Sequence, residues 1–291
     1  MFKGIIPAFV TPLKDDGSIW RDAAEKALDF ELAQGADGFY ICGATGEGLV
    51  LQPQARMDLA EIVVRHLKGR AACISHIAAI DLKTTLMLAR QAEVAGCDAI
   101  AAIPPIYFNY GEDDIYQYYK AIGDAVHIPV MIYYHPAAGV NLSAEFMARL
   151  FQIENVTSVK WSKPDYFQML LCKELTHGEM NILNGPDETL LCGLAAGADG
   201  GIGTSYNFLL PQARRLYQAF QAGQMAQARQ MQAEIDRILT VVLKRPVIPA
   251  TKEIMRLVGM DVGYATYPMH RFAPGEVETL IRDLRAAGFP A

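Results

Sequence analysis

The sequence predicts an α/β fold of eight parallel strands alternating with helices, closed as a (β/α)8 or TIM barrel, with a C-terminal helical extension. Three observations predict it. First, one joint recurs. Gly35-Ala36-Asp37-Gly38 leads into Phe39-Tyr40-Ile41-Cys42, Gly96-Cys97-Asp98-Ala99 into Ile100-Ala101-Ala102-Ile103, and Gly197-Ala198-Asp199-Gly200 into Gly201-Ile202-Gly203. Each time a helical pattern rich in Ala and Leu ends, a glycine supplies a left-handed cap, and a strand begins. Second, most strand segments are continuous apolar runs, as expected of parallel strands covered on both faces. Third, a doubly wound sheet announces itself with a Gly-rich first turn, and Pro7-Ala8-Phe9-Val10-Thr11-Pro12 offers none.

In chain order, the pattern places strands near 4–11, 38–43, 72–79, 99–104, 129–134, 156–162, 181–185 and 200–204. Helical periodicity falls between them, near 21–34, 54–68, 82–95, 113–124, 143–151, 166–176 and 188–196. Residues 211–222 supply the eighth barrel helix. Residues 225–243, 248–259 and 274–287 are more helix than a barrel needs, and Gly223, Pro246, Pro249 and Pro274 mark their breaks. The expected division is a barrel over 1–222 and an extension over 223–291.

The chain has 291 residues, is 52% hydrophobic and carries a net charge of −6. That is enough for one large core, and the acidic balance argues against nucleic acid or an anionic membrane as partner. The N-terminus has no signal-peptide anatomy, and no apolar run approaches a membrane span. Five cysteines, at 42, 73, 97, 172 and 192, form no CxxC pair and lie in apolar surroundings. Buried, reduced thiols of a cytoplasmic protein are expected.

Chemistry in such a barrel gathers at the C-terminal ends of the strands. There the sequence places Gly43-Ala44-Thr45-Gly46-Glu47-Gly48, His76, Tyr107, Tyr133-Tyr134-His135-Pro136, Lys160 with Ser162, Asn184-Gly185-Pro186-Asp187-Glu188, and Thr204. Taken singly, each has a structural reading. The glycine loop is a tight turn with Thr45 as a cap, and it lacks the Gly-Lys-Ser/Thr ending of a phosphate loop. Tyr133 alone is a core tyrosine. Asp187 and Glu188 suit a helix N-terminus. His76, with no Cys or His at ligand spacing, is a packed histidine and no metal ligand.

Lys160 weighs most. It lies in the β-branched run Val156-Thr157-Ser158-Val159-Lys160-Trp161-Ser162. One reading is an edge lysine that snorkels to solvent. The other is a desolvated amine, held neutral and able to form a Schiff base with a ketone. Around it the set as a whole fits the second reading. A loop of backbone donors with a Thr hydroxyl holds a carboxylate, a tyrosine moves a proton beside the amine, and a carboxylate pair with small hydroxyls binds a polyhydroxylated tail.

On these residues the chain resembles the N-acetylneuraminate lyase and dihydrodipicolinate synthase family. The resemblance rests on Gly-Ala-Thr-Gly-Glu at 43–47, Tyr-Tyr-His-Pro at 133–136, Val-Lys-Trp-Ser at 159–162 and Asn-Gly-Pro-Asp-Glu at 184–188. Gly-Ala-Asp-Gly-Gly-Ile-Gly-Thr-Ser-Tyr-Asn at 197–207 is similar to the neuraminate lyase branch. The resemblance implies Lys160 as the Schiff-base lysine, Tyr133 as the proton carrier and Thr45 as the holder of the substrate carboxylate. It implies Asp187, Glu188 and Thr204 as contacts of the polar tail, and Tyr107 as a residue that reaches into a neighbouring subunit's site. Ala44, Ser162 and Gly185 complete the expected substrate-binding set. A homotetramer, a 2-oxo acid substrate such as pyruvate, and no metal or organic cofactor follow from the same resemblance.

Three departures qualify it. Ala44 stands where the family usually has the Ser or Thr of a hydroxyl relay, so that relay is broken or asks a water to replace it. Tyr134 and His135 stand where Asn and an apolar residue are usual; either repacks, or His135 lines the pocket and titrates near neutral pH. Pro136-Ala137-Ala138-Gly139 lacks the Arg with which the synthase branch binds a second carboxylate. Trp161 and Lys163-Pro164 are also unlike the usual continuation after the lysine. The expected activity is therefore aldol cleavage of a 2-oxo sugar acid to pyruvate and an aldehyde. The alternatives are a Schiff-base dehydratase, a synthase-like condensation, and a 2-oxo-acid-binding relative without turnover.

Overall fold

The computed structural model describes residues 1–290. The last residue of the expected extension, 291, lies outside the described residues. Eight strands, β1 (Gly4–Pro7), β2 (Gly38–Ile41), β3 (Ala72–His76), β4 (Ala99–Ala102), β5 (Val130–Tyr134), β6 (Val156–Trp161), β7 (Asn181–Asn184) and β8 (Gly200–Gly203), form one parallel sheet in the order β1-β8-β7-β6-β5-β4-β3-β2. Between β1 and β2 the barrel closes through a parallel bridge of Ala8 with Tyr40, where the Phe9 N–H donates to the Tyr40 carbonyl at 3.0 Å. Helices α1 (Arg21–Ala33), α2 (Pro53–Leu67), α3 (Leu82–Ala95), α4 (Glu112–Gly123), α5 (Ala144–Leu150), α6 (Tyr166–Leu175), α7 (Leu190–Ala195) and α8 (Tyr206–Gln221) surround it. Nearly every strand residue is buried, which is why the strands read as unbroken apolar runs. At the recurring joint, Gly35, Gly96 and Gly197 all have φ between +91° and +95°, the region where a side chain would be strained.

Where the strands depart from expectation they are shorter. β1 stops at Pro7 and β4 at Ala102, just before Pro104-Pro105, because proline has no N–H to give the next ladder rung. The eighth barrel helix starts earlier than expected, at Tyr206. Pro211 lies inside it and does not open it; the chain absorbs the missing donor by a kink at Leu209, with φ −120° and ψ 21°. The helix expected from residue 188 begins as a 3-10 turn, Asp187–Thr189, and becomes α7 only at Leu190. The expectation of five buried thiols fails at one position: Cys42, Cys73, Cys97 and Cys172 are buried, but Cys192 lies on the outer face of α7 and is exposed.

Three further helices, α9 (Met225–Val242), α10 (Val247–Leu257) and α11 (Pro274–Ala286), pack on the barrel. One contact fixes how α10 meets the loop after β2. Lys252 Nζ lies 2.7 Å from Glu47 Oε1, with both side chains at most 1% exposed. The same ammonium donates to the carbonyls of Thr11 (2.8 Å) and Tyr264 (2.9 Å), and the other Glu47 oxygen accepts from the Thr266 N–H (2.6 Å). Among the described residues no helix is long and apolar enough to cross a membrane.

Candidate active site

Strand register brings the lysine and the tyrosine together. Tyr133 on β5 pairs with Lys160 on β6, and Lys160 with Leu183 on β7. Alternation along a strand then turns Tyr133 and Lys160 inward, while Tyr134 and Trp161 turn outward and pack edge to face at 5.1 Å. That outward layer explains the unusual residues beside the lysine. The Tyr134 hydroxyl donates to Asn141 (2.7 Å), and Lys163 donates to the Val140 carbonyl (3.0 Å), holding the loop after β5.

Inward, Lys160 Nζ sits 4.3 Å from the ring centre of Tyr40 and 4.4 Å from that of Tyr133. The residue is 4% exposed. Burial among aromatic rings lowers its pKa to about 7, with Asp187 opposing the shift. The snorkelling alternative is thereby excluded. Burial also raises the Tyr133 hydroxyl above its ordinary value, with the neighbouring Ser162 hydroxyl pulling the other way.

Above these groups opens a cavity of about 450 Å³. It is lined by Ala44, Thr45, Tyr133, Lys160, Ser162, Gly185, Asp187, Glu188 and Thr204. Thus every expected site residue except Tyr107 meets in one place. Tyr107, in the loop after β4, is 89% exposed and stands outside this cavity. The hydroxyls of Thr45 and Thr204 are 2.6 Å apart and join the loop after β2 to the end of β8. Thr45 is held in turn because the Thr11 hydroxyl donates to the Gly46 carbonyl (2.6 Å) and Glu47 is locked to Lys252.

Asp187 is buried. Its Oδ2 accepts the Ser205 N–H at 2.6 Å, and its Oδ1 has no partner among the described residues. Burial raises its pKa to about 6 against the pull of the Ser205 hydrogen bonds. The 3-10 turn that carries it needs a glycine opposite: a Cβ on Gly203 would lie 1.7 Å from Oδ1. Glu188 follows, exposed to the mouth of the cavity.

His76 is the packed histidine that its sequence context suggested. Its Nδ1 donates to the Cys42 carbonyl (3.1 Å) and its Nε2 accepts from the Ile103 N–H (3.3 Å), so it is neutral, with burial holding its pKa well below the ordinary value. His135 does line the cavity, but it does not titrate near neutral pH. Burial and the nearby Lys160 lower it to about 4.

Two features of the site escaped the sequence. Tyr40, at the floor beside Lys160, has a buried hydroxyl without a hydrogen-bond partner among the described residues. Its inward parity on β2 was the available signal. The mouth is walled by Leu239, Val242, Leu243 and Val247, which surround the junction of α9 and α10. Nothing local in that segment distinguishes it from an ordinary amphipathic helix.

A family model described as the dihydrodipicolinate synthetase family matches residues 1–287. An N-acetylneuraminate lyase of Rhizobium meliloti is 30% identical over 280 residues, 96% of this chain and 93% of the relative. Among solved structures, the N-acetylneuraminate lyase of Proteus mirabilis superposes with a TM-score of 0.94 at 27% identity, covering 99% of each chain. A dihydrodipicolinate synthase of Bacillus anthracis does so with a TM-score of 0.94 at 26% identity, covering 98% of each. A barrel of this topology, the buried lysine beside a tyrosine, and a match over nearly the whole length agree: this chain belongs to the dihydrodipicolinate synthetase family.

Proposed function

We propose that this carbon–carbon lyase cleaves, and in reverse forms, the C3–C4 bond of a 2-oxo sugar acid, such as N-acetylneuraminate or a 2-keto-3-deoxy sugar acid, through a Schiff base on Lys160. The observation that carries the reading is the buried amine at the cavity floor, with a pKa of about 7. At neutral pH a good part of it is uncharged and nucleophilic, which an ordinary lysine is not.

Neutral Lys160 attacks the C2 ketone, and loss of water leaves an iminium. The iminium accepts the electron pair of the C3–C4 bond while the C4 hydroxyl loses its proton and becomes the aldehyde carbonyl. Tyr133 is the group placed to take that proton. Its hydroxyl, protonated at rest, gives its proton to the oxygen that leaves as water, and the phenolate so formed, favoured by the positive iminium beside the ring, takes the C4 proton. Protonation of the resulting enamine at C3 and hydrolysis release pyruvate and the amine. Thr45 and the backbone of its loop hold the C1 carboxylate, with Ala44 leaving space where a relay hydroxyl would otherwise stand. Ser162, Gly185, Asp187, Glu188 and Thr204 face the tail.

Association of copies as a homotetramer belongs to the same reading. Leu49, Val50, Ile80, Tyr107 and Phe108 are exposed on successive loops after β2, β3 and β4, an apolar surface suited to a second subunit whose site Tyr107 would complete. Four buried free thiols, with Cys73 and Cys97 3.8 Å apart and unbonded, support a reducing cytoplasmic setting.

The test is borohydride trapping. Incubation with pyruvate, reduction and peptide mapping should place an adduct on Lys160 that is absent from Lys160→Ala. Product analysis on a panel of 2-oxo sugar acids then separates cleavage to pyruvate and aldehyde from dehydration to a semialdehyde. No adduct with any 2-oxo acid would remove both; an adduct without turnover would leave a binding protein.

A further inference from the structure

His135 is a polar residue of the cavity to which the proposed chemistry assigns no task. It follows Tyr133 by two residues, one past the end of β5 in backbone that is still extended (φ −125°, ψ 142°), so both rings turn inward, with centroids 5.1 Å apart. Register fixes its height. Tyr133 pairs with Lys160, and the Ser162 N–H donates to the Tyr134 carbonyl at 2.8 Å, so His135 and Ser162 form the next layer outward, about 6–7 Å along the strands from the reacting amine. A substrate joined to Lys160 through C2 has one carbon on its carboxylate side and the remainder of its chain running toward the mouth. The outer layer therefore meets the aldehyde half.

The ring is also oriented. Its Nδ1 accepts the Ala137 N–H at 3.0 Å, at the start of the 3-10 turn Pro136–Ala138. With Nδ1 an acceptor and the ring neutral, the proton resides on Nε2. Among the described residues no protein group bonds Nε2, and the ring lines the cavity. Asp187 and Glu188, across the cavity on the β7 side, offer acceptors; His135 offers the complementary donor.

We infer that His135 is a specificity-determining residue: its Nε2–H donates to a hydroxyl oxygen on the aldehyde half of the substrate, so the enzyme prefers hydroxylated aldehydes. This rests on the Schiff-base reading above. A ring held neutral throughout the working range keeps the donor constant, while its position on a strand end fixed by the Ala137 bond limits the loss of freedom on binding. A neutral hydrogen bond of this kind discriminates by roughly tenfold.

The experiment runs the condensation of pyruvate with glyceraldehyde and with propanal, which differ only in hydroxylation, and reads the ratio of the two kcat/KM values. His135→Leu should lower the glyceraldehyde preference about tenfold, mainly through the aldehyde KM. His135→Gln, which retains an N–H donor, should restore much of it. A purely structural role would weaken both aldehydes alike and leave the ratio unchanged. An unchanged ratio in His135→Leu, a Gln variant that behaves as Leu, or no glyceraldehyde preference in the unmutated protein would each overturn the assignment. Pyruvate trapping on the unmutated protein is run alongside. If it fails, the Schiff-base reading falls and takes this inference with it; if it succeeds while the ratio does not respond, only the role of His135 falls.

Discussion

Replacing Lys252 by methionine tests the claim that the extension holds the substrate-carboxylate loop in place. The substitution keeps most of the side-chain volume but removes the charge. It leaves the Glu47 carboxylate, fully buried, with the Thr266 N–H as its hydrogen-bond donor. The carbonyls of Thr11 and Tyr264 each lose a donor at 2.8–2.9 Å. Removing one partner of a buried pair costs about 3–5 kcal/mol, far more than an exposed pair, because the remaining charge stays desolvated. A Glu47→Gln, Lys252→Met double variant carries no orphaned charge. It should lose less than the sum of the two single losses, by about 1–3 kcal/mol. Urea unfolding at fixed protein concentration, followed by the fluorescence of Trp20 and Trp161, measures all three. Because Glu47 shares its loop with Thr45, the pyruvate concentration that half-saturates borohydride trapping should rise in Lys252→Met. A loss below about 1 kcal/mol, the range of an exposed pair, would refute the reasoning, as would simple additivity of the two single changes.

Two further outcomes are expected. Lys160→Met should raise stability at pH 7. The amine's folded pKa, about 7, lies below its unfolded value of 10.5, so the cost of burying its charge is fully present below pH 7 and fades as pH rises toward 10.5. Denaturation midpoints at pH 6.5 and 9.5 should therefore show a larger gain for the variant at the lower pH. Gly203→Ala should cost about 1–3 kcal/mol and displace Asp187 from the Ser205 N–H, since the new methyl would lie 1.7 Å from Oδ1. Its thermal midpoint and its KM for a sugar acid should both worsen, and an unperturbed KM would show that Asp187 does not contact the tail.

Much of the fold was legible because its signals are local. The left-handed glycines at 35, 96 and 197 close helices and open strands through short-range backbone geometry, and apolar runs register two-sided burial wherever they occur. Boundaries were less so. Pro211 has the chemistry of a helix start, and only packing of the preceding turn against the barrel lets α8 run through it by a kink. Cys192 lies in an apolar stretch, yet the rotation of α7 leaves it outside.

The site divides the same way. Lys160, Tyr133, Thr45, Asp187 and Thr204 stand at strand ends, so an eight-strand count sufficed to bring them together. Tyr40 under the amine, the neutral tautomer of His135, the Glu47–Lys252 pair and the aliphatic wall at the α9–α10 junction depend on residues far apart in the chain. By itself the sequence determined which elements form and which residues reach the end of the barrel, because periodicity and backbone preference act within a few residues. Tertiary structure alone decided which charges are desolvated and which hydroxyls are left without partners, because dielectric surroundings and hydrogen-bond geometry belong to contacts between elements.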